Sequence, residues 1–442
     1  MFNRFIDAFK DKDVRGRIFF TLAILLVYVL GLLIAVPGVD TSSINSALQE
    51  NDILGIMNIL GGGALDSFSI FALGVSPYIT ASIIVQLLQM GVLPKLQELS
   101  EEGEAGRRKI NDITRYLGLL LGAVQGYGII LTLDNQGADF SAIFPDAPLW
   151  VNYTYVIAIL LAGTMFVMWL SDQITAKGIG NGVSMIIFAG IIKSIPSHYS
   201  SVYQILVGQY TTSAEQFNGL LQFIAYVGYT AVVILFVIFI ELSVRKIPIQ
   251  QSRATMSQAS GNMNFLPIKV NPGGVIPVIF AQAVLSAPVT ILGFIDSSSS
   301  AYTTLKNIFT ISHVENGWPI ALMIYIALII LFSFMYAHIQ IDCDKLTENL
   351  TKQGSYIPGI RSGKETRNYL SSVLNRVTFT GAITLALVAA LPYVIPMIFT
   401  KLANTAFGGT SLIIVVGVAI ETTSQLSGYI AERNYRSFDF DF

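Results

Sequence analysis

Ile18-Phe19-Phe20-Thr21-Leu22-Ala23-Ile24-Leu25-Leu26-Val27-Tyr28-Val29-Leu30-Gly31-Leu32-Leu33-Ile34-Ala35-Val36 is the first long apolar run of the chain, and it follows five cations, Arg4, Lys10, Lys12, Arg15 and Arg17. A basic start and an apolar run also describe a secretory signal. The apolar part of a signal is about 7–15 residues and ends at a small-x-small cleavage site. This run is longer and no such site follows, so it reads as a retained span of a bilayer whose hydrocarbon is about 30 Å thick. Comparable runs recur at 70–91, 116–133, 152–171, 182–197, 218–240, 273–294, 318–340, 375–396 and 410–430, which makes ten with 18–37. Charged residues are 12% of the chain and mean hydropathy is +0.63. Soluble domains carry about twice that charge, so lipid is the expected solvent.

The cations orient the spans. Of 26 Lys and Arg, 23 lie in alternate gaps: 1–17, 92–115, 172–181, 241–272, 341–376 and 431–442. The exceptions are Lys193, Lys306 and Lys401. The opposite gaps hold acids, among them Asp40, Asp66, Asp134, Asp146, Glu215 and Glu315. The positive-inside rule then places both termini in the cytoplasm and requires an even number of spans. The expected fold is an all-α polytopic membrane protein of ten transmembrane helices. Five spans in each half make the halves enter from opposite sides, as in an inverted repeat. The expected units are 18–197 and 218–430, with an external linker over 198–217 and a cytoplasmic tail over 431–442. The cytoplasmic connections 241–272 and 341–374 are long, and their turn chemistry (Asn271-Pro272-Gly273, Ile357-Pro358-Gly359) predicts ordered projections. Pro272, Pro277 and Pro288 predict a kinked seventh span.

Few residues offer chemistry. Cys343 is alone and His198, His313 and His338 are scattered, so no disulfide, metal site or cofactor is expected. Gly178-Ile179-Gly180-Asn181-Gly182 lacks the strand and Gly-Lys-Ser/Thr of a phosphate loop. It reads as a tight turn with Asn181 capping the fifth span. Glu241, Glu421, Gln86, Gln125 and Gln282 lie in or at the ends of spans, and intramembrane polar groups mark candidate sites. A proton-coupled transporter needs a carboxylate near mid-span; Glu421 is the only candidate and lies well towards the cytoplasmic end, which disfavours that reading, and no dyad or triad favours an intramembrane enzyme. Residues 54–60 are apolar but too short to cross, and Gly61-Gly62-Gly63 follow. Such a segment has two places to go, the headgroup layer or a cavity inside protein, and the second suits irregular backbone better. The aliphatic pairs Val75/Ile79 and Val183/Ile187, with Ile279 and Ile414, read on their own as packed core or lipid-facing residues.

Six stretches carry a resemblance: Phe71–Ser82 (FALGVSPYITAS), Glu102–Lys109 (EGEAGRRK), Lys177–Gly182 (KGIGNG), Leu266–Pro277 (LPIKVNPGGVIP), Tyr356–Arg361 (YIPGIR) and Gly408–Leu412 (GGTSL). In this order and on this topology, the chain resembles the SecY family, pore subunits of the bacterial Sec translocon, over nearly its whole length. The resemblance implies an hourglass channel between two five-helix halves in the bacterial cytoplasmic membrane. Its waist would be a ring of Val75, Ile79, Val183, Ile187, Ile279 and Ile414. A plug of residues 54–66, with Ile56, Met57, Ile59, Leu60, Gly61, Gly62 and Gly63, would rest on that ring. The second and seventh spans would form a lateral gate, with Thr80, Gln86 and Asn271 as polar contacts across it. The long loops would dock the ribosome and the motor ATPase SecA through Arg245, Lys246, Arg253, Arg361 and Lys364. SecE and SecG subunits, signal peptides, unfolded preproteins and membrane lipid are the other implied partners, with no readout of nucleic acid. Ser362 stands where the family usually has Pro after the arginine, which implies a less rigid loop tip.

Overall fold

The computed structural model describes residues 12–39, 64–65, 67–135, 140, 143–208, 213–251, 264–292, 299, 304–305, 308–309, 320–398 and 409–438. A helix stands at each of the ten apolar runs: α1 Lys12–Gly31, α2 Ser76–Leu87, α4 Glu104–Asp134, α5 Leu149–Lys177, α6 Gly182–Tyr203, α7 Ser213–Leu242, α8 Ile276–Leu292, α9 Ile320–Gln340, α11 Lys364–Ile398 and α12 Gly409–Phe438. Two shorter helices, α3 Pro94–Glu101 and α10 Cys343–Lys352, lie between spans. Among the described residues, seven of these helices are long and apolar enough to cross a membrane, and α2 and α8 are shorter apolar helices. Hydroxyls along the spans bond the carbonyl one turn back, as in Thr80 to Ser76, Thr164 to Leu160 and Thr384 to Thr380. That satisfies a polar group where no water is present.

Side-chain pairs fix the run of neighbours. Tyr153 Oη donates to Asp134 at 2.9 Å at one end of the α4–α5 pair, and Arg115 meets Asp172 at 2.5 Å at the other. The two helices are therefore antiparallel. One large buried cluster draws on α1, α2, α5, α6, α7, α8, α9, α11 and α12, so the main core lies where the two halves meet.

Several sequence expectations need correcting. The second apolar run begins at residue 70, but α2 starts at Ser76. Gly74 has a left-handed φ of +53° and Pro77 sits in the first turn, so the helix cannot extend backwards. Residues 67–75 are instead irregular and buried, with Phe68, Ser69, Phe71, Leu73 and Val75 at most 3% exposed. Their backbone finds partners in the chain leaving α1: Val36 N donates to Phe68 O and Ile70 N to Ile34 O, both at 3.0 Å. This is how irregular backbone survives at membrane depth. The first span correspondingly ends as a helix at Gly31. In the seventh span, Pro272 and Pro277 lie before and at the start of α8, and only Pro288 is inside it. The linker 198–217 is largely helical, because α6 runs to Tyr203 and continues as a π turn, Gln204–Gly208, before α7 begins at Ser213.

The two long loops are not wholly helical or loose. Strands β1 Val244–Gln251 and β2 Asn264–Lys269 form an antiparallel hairpin, Val244 opposite Lys269 through Ile249 opposite Asn264. Strand β3, Ser355–Tyr356 of the second loop, pairs with the far end of β1, giving the order β2-β1-β3. Ile247, Ile268, Leu350, Ile357, Leu370 and Leu374 form a separate core beneath the sheet. Asp342 caps α10 through the N–H groups of Asp344 and Lys345. Those bonds, led by the one from Lys345, hold its carboxyl below the usual range. Because α11 starts at Lys364, both Lys364 and Arg367 are on that helix rather than in a loop.

Candidate functional site

The six aliphatic positions come from both halves: Val75 and Ile79 at the start of α2, Val183 and Ile187 in α6, Ile279 in α8 and Ile414 in α12. Five are buried, at 2% (Val75), 4% (Ile79), 2% (Ile187), 5% (Ile279) and 1% (Ile414) exposed. All five belong to the one large apolar cluster, and half-buried Val183 packs against it. Branched aliphatic side chains offer neither hydrogen bonds nor charge. A narrow zone lined by them excludes water and ions by dewetting, yet imposes no sequence preference on a polymer passing through. Of the expected plug, Ile56, Met57, Ile59, Leu60, Gly61, Gly62 and Gly63 lie outside the described residues. Its last part does not: Ala64 and Leu65 are fully buried, and Ala64 joins the same cluster as the ring positions.

The three polar positions do not meet one another. Thr80 bonds back to Ser76 O on its own helix. Asn271 does not reach across to α2. Its Nδ2 donates to Glu241 Oε1 at 2.6 Å and to Gly274 O at 2.8 Å, tying the end of α7 to the turn that opens α8. A carboxylate only 7% exposed has to be hydrogen-bonded, and Asn271 is the donor it finds. Gln86 does reach across, but to Tyr336 on α9, whose hydroxyl donates to Gln86 Oε1. Sequence reasoning missed Tyr336, since a tyrosine near the end of a span is ordinary interface chemistry. Gln125 and Gln282 are buried, each with its Oε1 unbonded. Glu421 is half-buried on α12.

The cations of the two loops sit on or beside the sheet. Arg245 and Lys246 on β1 and Arg361 and Lys364 at the entry to α11 are exposed, while Arg253 lies outside the described residues. Arg361 is presented by a fixed turn: its carbonyl accepts from Thr366 Oγ1 at 2.8 Å, and Gly359 and Gly363 have left-handed φ. Ser362, expected to loosen this tip, lies 3.2 Å from Thr351 Oγ1 of α10, a hydrogen bond that proline has no hydroxyl to make. Asn181 caps α6 as expected, its Oδ1 accepting from Val183 N at 3.1 Å.

Comparison with known proteins agrees with this architecture. The SecY family model matches residues 69–423. The chain is 42% identical over 441 residues to a protein translocase subunit SecY of Bacillus licheniformis, covering 99% of each. It is likewise 42% identical to that of Bacillus subtilis, and 40% to that of Staphylococcus carnosus, again over 99% of each chain. Among solved structures, a chain described as a protein conducting channel superposes with a TM-score of 0.59 at 19% identity, covering 93% of this chain and 91% of that one. Sec61 in a canine ribosome-channel complex from the endoplasmic reticulum gives 0.58 at 18%, with the same coverage. By sequence over its full length and by fold, this chain belongs to the SecY family.

Proposed function

We propose that the chain is the pore-forming subunit of a protein translocase. Unfolded polypeptide passes through the apolar waist, and sufficiently apolar segments leave sideways between α2 and α8. The observation that carries this reading is the gathering of five aliphatic side chains, contributed by both halves, in one buried cluster, with Val183 packed against it. A sealed waist keeps ions out while the channel rests, and the burial of Ala64 in the same cluster supports reading residues 54–66 as its plug. Lateral release follows from partition: Leu, Ile, Phe and Val each favour the bilayer by about 0.3–0.6 kcal/mol, whereas a central charge costs about 2.5–3.5 kcal/mol. The sum over a segment decides between insertion and export.

The distribution of cations supports a cytoplasmic position for both termini and for the β2-β1-β3 sheet. The sheet, with exposed Arg245, Lys246, Arg361 and Lys364, is then the docking surface for SecA or the ribosome, while SecE and SecG complete the complex. In this reading a docked partner drives transport. Reversing one charge tests the docking assignment. Arg361→Glu is expected to cut export of a secretory protein several-fold while leaving the amount of assembled complex unchanged, because the residue is exposed and the bond that fixes the turn is made by its carbonyl. Wild-type export by that variant removes the docking role from this turn.

A further inference from the structure

Only a few residues of chain join the exposed hairpin to the helices below it. Strand β1 leaves α7 through Ser243, and β2 returns through Val270 to the turn 271–275 that opens α8. The stem is closed by Val270 N, which donates to Ser243 O at 3.0 Å. In the turn, Gly274 has a left-handed φ of +58°; its N–H donates to Asn271 O at 3.4 Å, and its carbonyl accepts from Asn271 Nδ2 at 2.8 Å. Ile279 N then donates to Val275 O at 3.2 Å, so the first turn of α8 carries a residue of the aliphatic ring. Neighbouring helices leave this turn little room. A Cβ at Gly381 of α11 would stand 2.3 Å from Val270 O, and one at Gly417 of α12 would stand 2.2 Å from Val275 Cγ1.

Glu241 joins the turn to the end of α7. Both it and Asn271 are buried, and the bond from Asn271 Nδ2 to Glu241 Oε1, at 2.6 Å, runs beside the backbone bond of the stem. Lys269, the last residue of β2, attracts the Glu241 carboxylate, and Glu421 of α12 repels it. A buried carboxylate that loses its donor costs more than a neutral group would. A displacement of the hairpin that left α7 behind would strand Glu241. A displacement that carries the end of α7, the stem and the first turn of α8 together keeps the bond, and is the cheaper of the two.

We propose that Glu241, acting through Asn271, is the positioning residue that carries a push on the docked sheet into α8, and so into the waist at Ile279. The inference rests on the docking surface proposed above. Arg245 and Lys246 on β1 are exposed and available to a partner, whereas Glu241 is buried and out of its reach. Docking and transmission are therefore separable. The first resides in the cations of the sheet, the second in one carboxylate and the amide that holds it.

The test uses the assembled translocase, with SecA and ATP added on the side that bears the sheet. Two quantities are read: binding of SecA to the complex in vesicles, and the rise in planar-bilayer conductance when SecA is added. Glu241→Met keeps the bulk of the side chain and removes the acceptor, while Asn271 retains its bond to Gly274 O. This variant is expected to bind SecA as wild type does and to keep the wild-type resting conductance. Its SecA-induced rise is expected to fall on the order of ten-fold, the worth of one hydrogen bond to a charged group. Glu241→Gln restores an acceptor of the same shape and is expected to recover most of the rise. Combining Glu241→Gln with Asn271→Ala breaks the bond from the donor side with no charge stranded, and is expected to lose the rise again. That pair decides the matter if Glu241→Met does not accumulate. A full rise in Glu241→Met or in the combined variant, or a loss in Glu241→Gln as deep as in Glu241→Met, overturns this inference and leaves docking intact. Loss of SecA binding in Glu241→Met overturns it as well, because the residue then shapes the sheet instead of transmitting from it. A wild-type complex that neither binds SecA nor responds to it overturns the docking reading, and this inference with it.

Discussion

Serine at both Ile79 and Ile279 is expected to make a resting channel conduct ions. The two residues come from opposite halves, are 4% and 5% exposed, and share the buried cluster proposed to close the waist. A dry constriction is stable because water gains nothing from aliphatic walls. Exchanging two such side chains for hydroxyls shifts the balance of wet and dry states by the burial worth of each, about 1.5–3 kcal/mol. Since 1.4 kcal/mol is a factor of ten, resting conductance in planar bilayers is expected to rise on the order of ten-fold or more without any substrate. Leucine at the same two positions keeps the walls apolar and is expected to keep the seal. An unchanged conductance in the serine variant means that these side chains do not line the barrier.

Valine at Gly163 is expected to abolish accumulation of the folded protein. A Cβ at this position would stand 1.9 Å from the carbonyl oxygen of Ile70 and 2.8 Å from its carbon. Neither can yield easily, because Ile70 belongs to the irregular segment pinned by its N–H to Ile34 O at 3.0 Å. Forcing α5 away from that segment opens the packing between Phe71 and Phe166, whose rings stack 5.9 Å apart. Overpacking of this kind costs about 3 kcal/mol or more, a large part of a domain's stability. Gly228 of α7 is the control, since a Cβ there meets nothing within 4 Å, and Gly228→Ala is expected to behave as wild type. Comparing membrane-fraction yield and protease resistance of the two variants decides the matter. Normal accumulation of Gly163→Val shows that α5 does not clamp residues 67–75.

The spans were legible because bilayer thickness demands long apolar runs, and such runs cannot be hidden in a chain with 12% charge. The irregular start of the second span was not. Ile70-Phe71-Ala72-Leu73-Gly74-Val75 is equally apolar whether helical or not, so hydropathy reports depth and says nothing of backbone conformation. Gly74 and Pro77 are the visible signs of the break, and both lie inside the apolar run 70–91. The sheet was obscured for a related reason: Val244-Arg245-Lys246-Ile247-Pro248 alternates poorly, and one of its two partner strands, β3, lies in the other long loop of the same half. The aliphatic ring was legible only through family resemblance, since Val75 or Ile414 taken singly is indistinguishable from core. The partners of Asn271 and Gln86 were out of reach altogether. One lies 30 residues away and the other 250, and no local pattern encodes such a pairing.

A photoreactive residue placed at Ile79 or Ile279, with a secretory chain stalled part-way through the channel, tests the apolar waist most directly. Crosslinks from both positions to the stalled chain are expected, since one lies on α2 and the other on α8 and the polypeptide must pass between them. A stalled chain that instead labels outward-facing positions such as Phe19 or Leu235, 59% and 66% exposed, and never these two, contradicts a pore through the centre of the bundle.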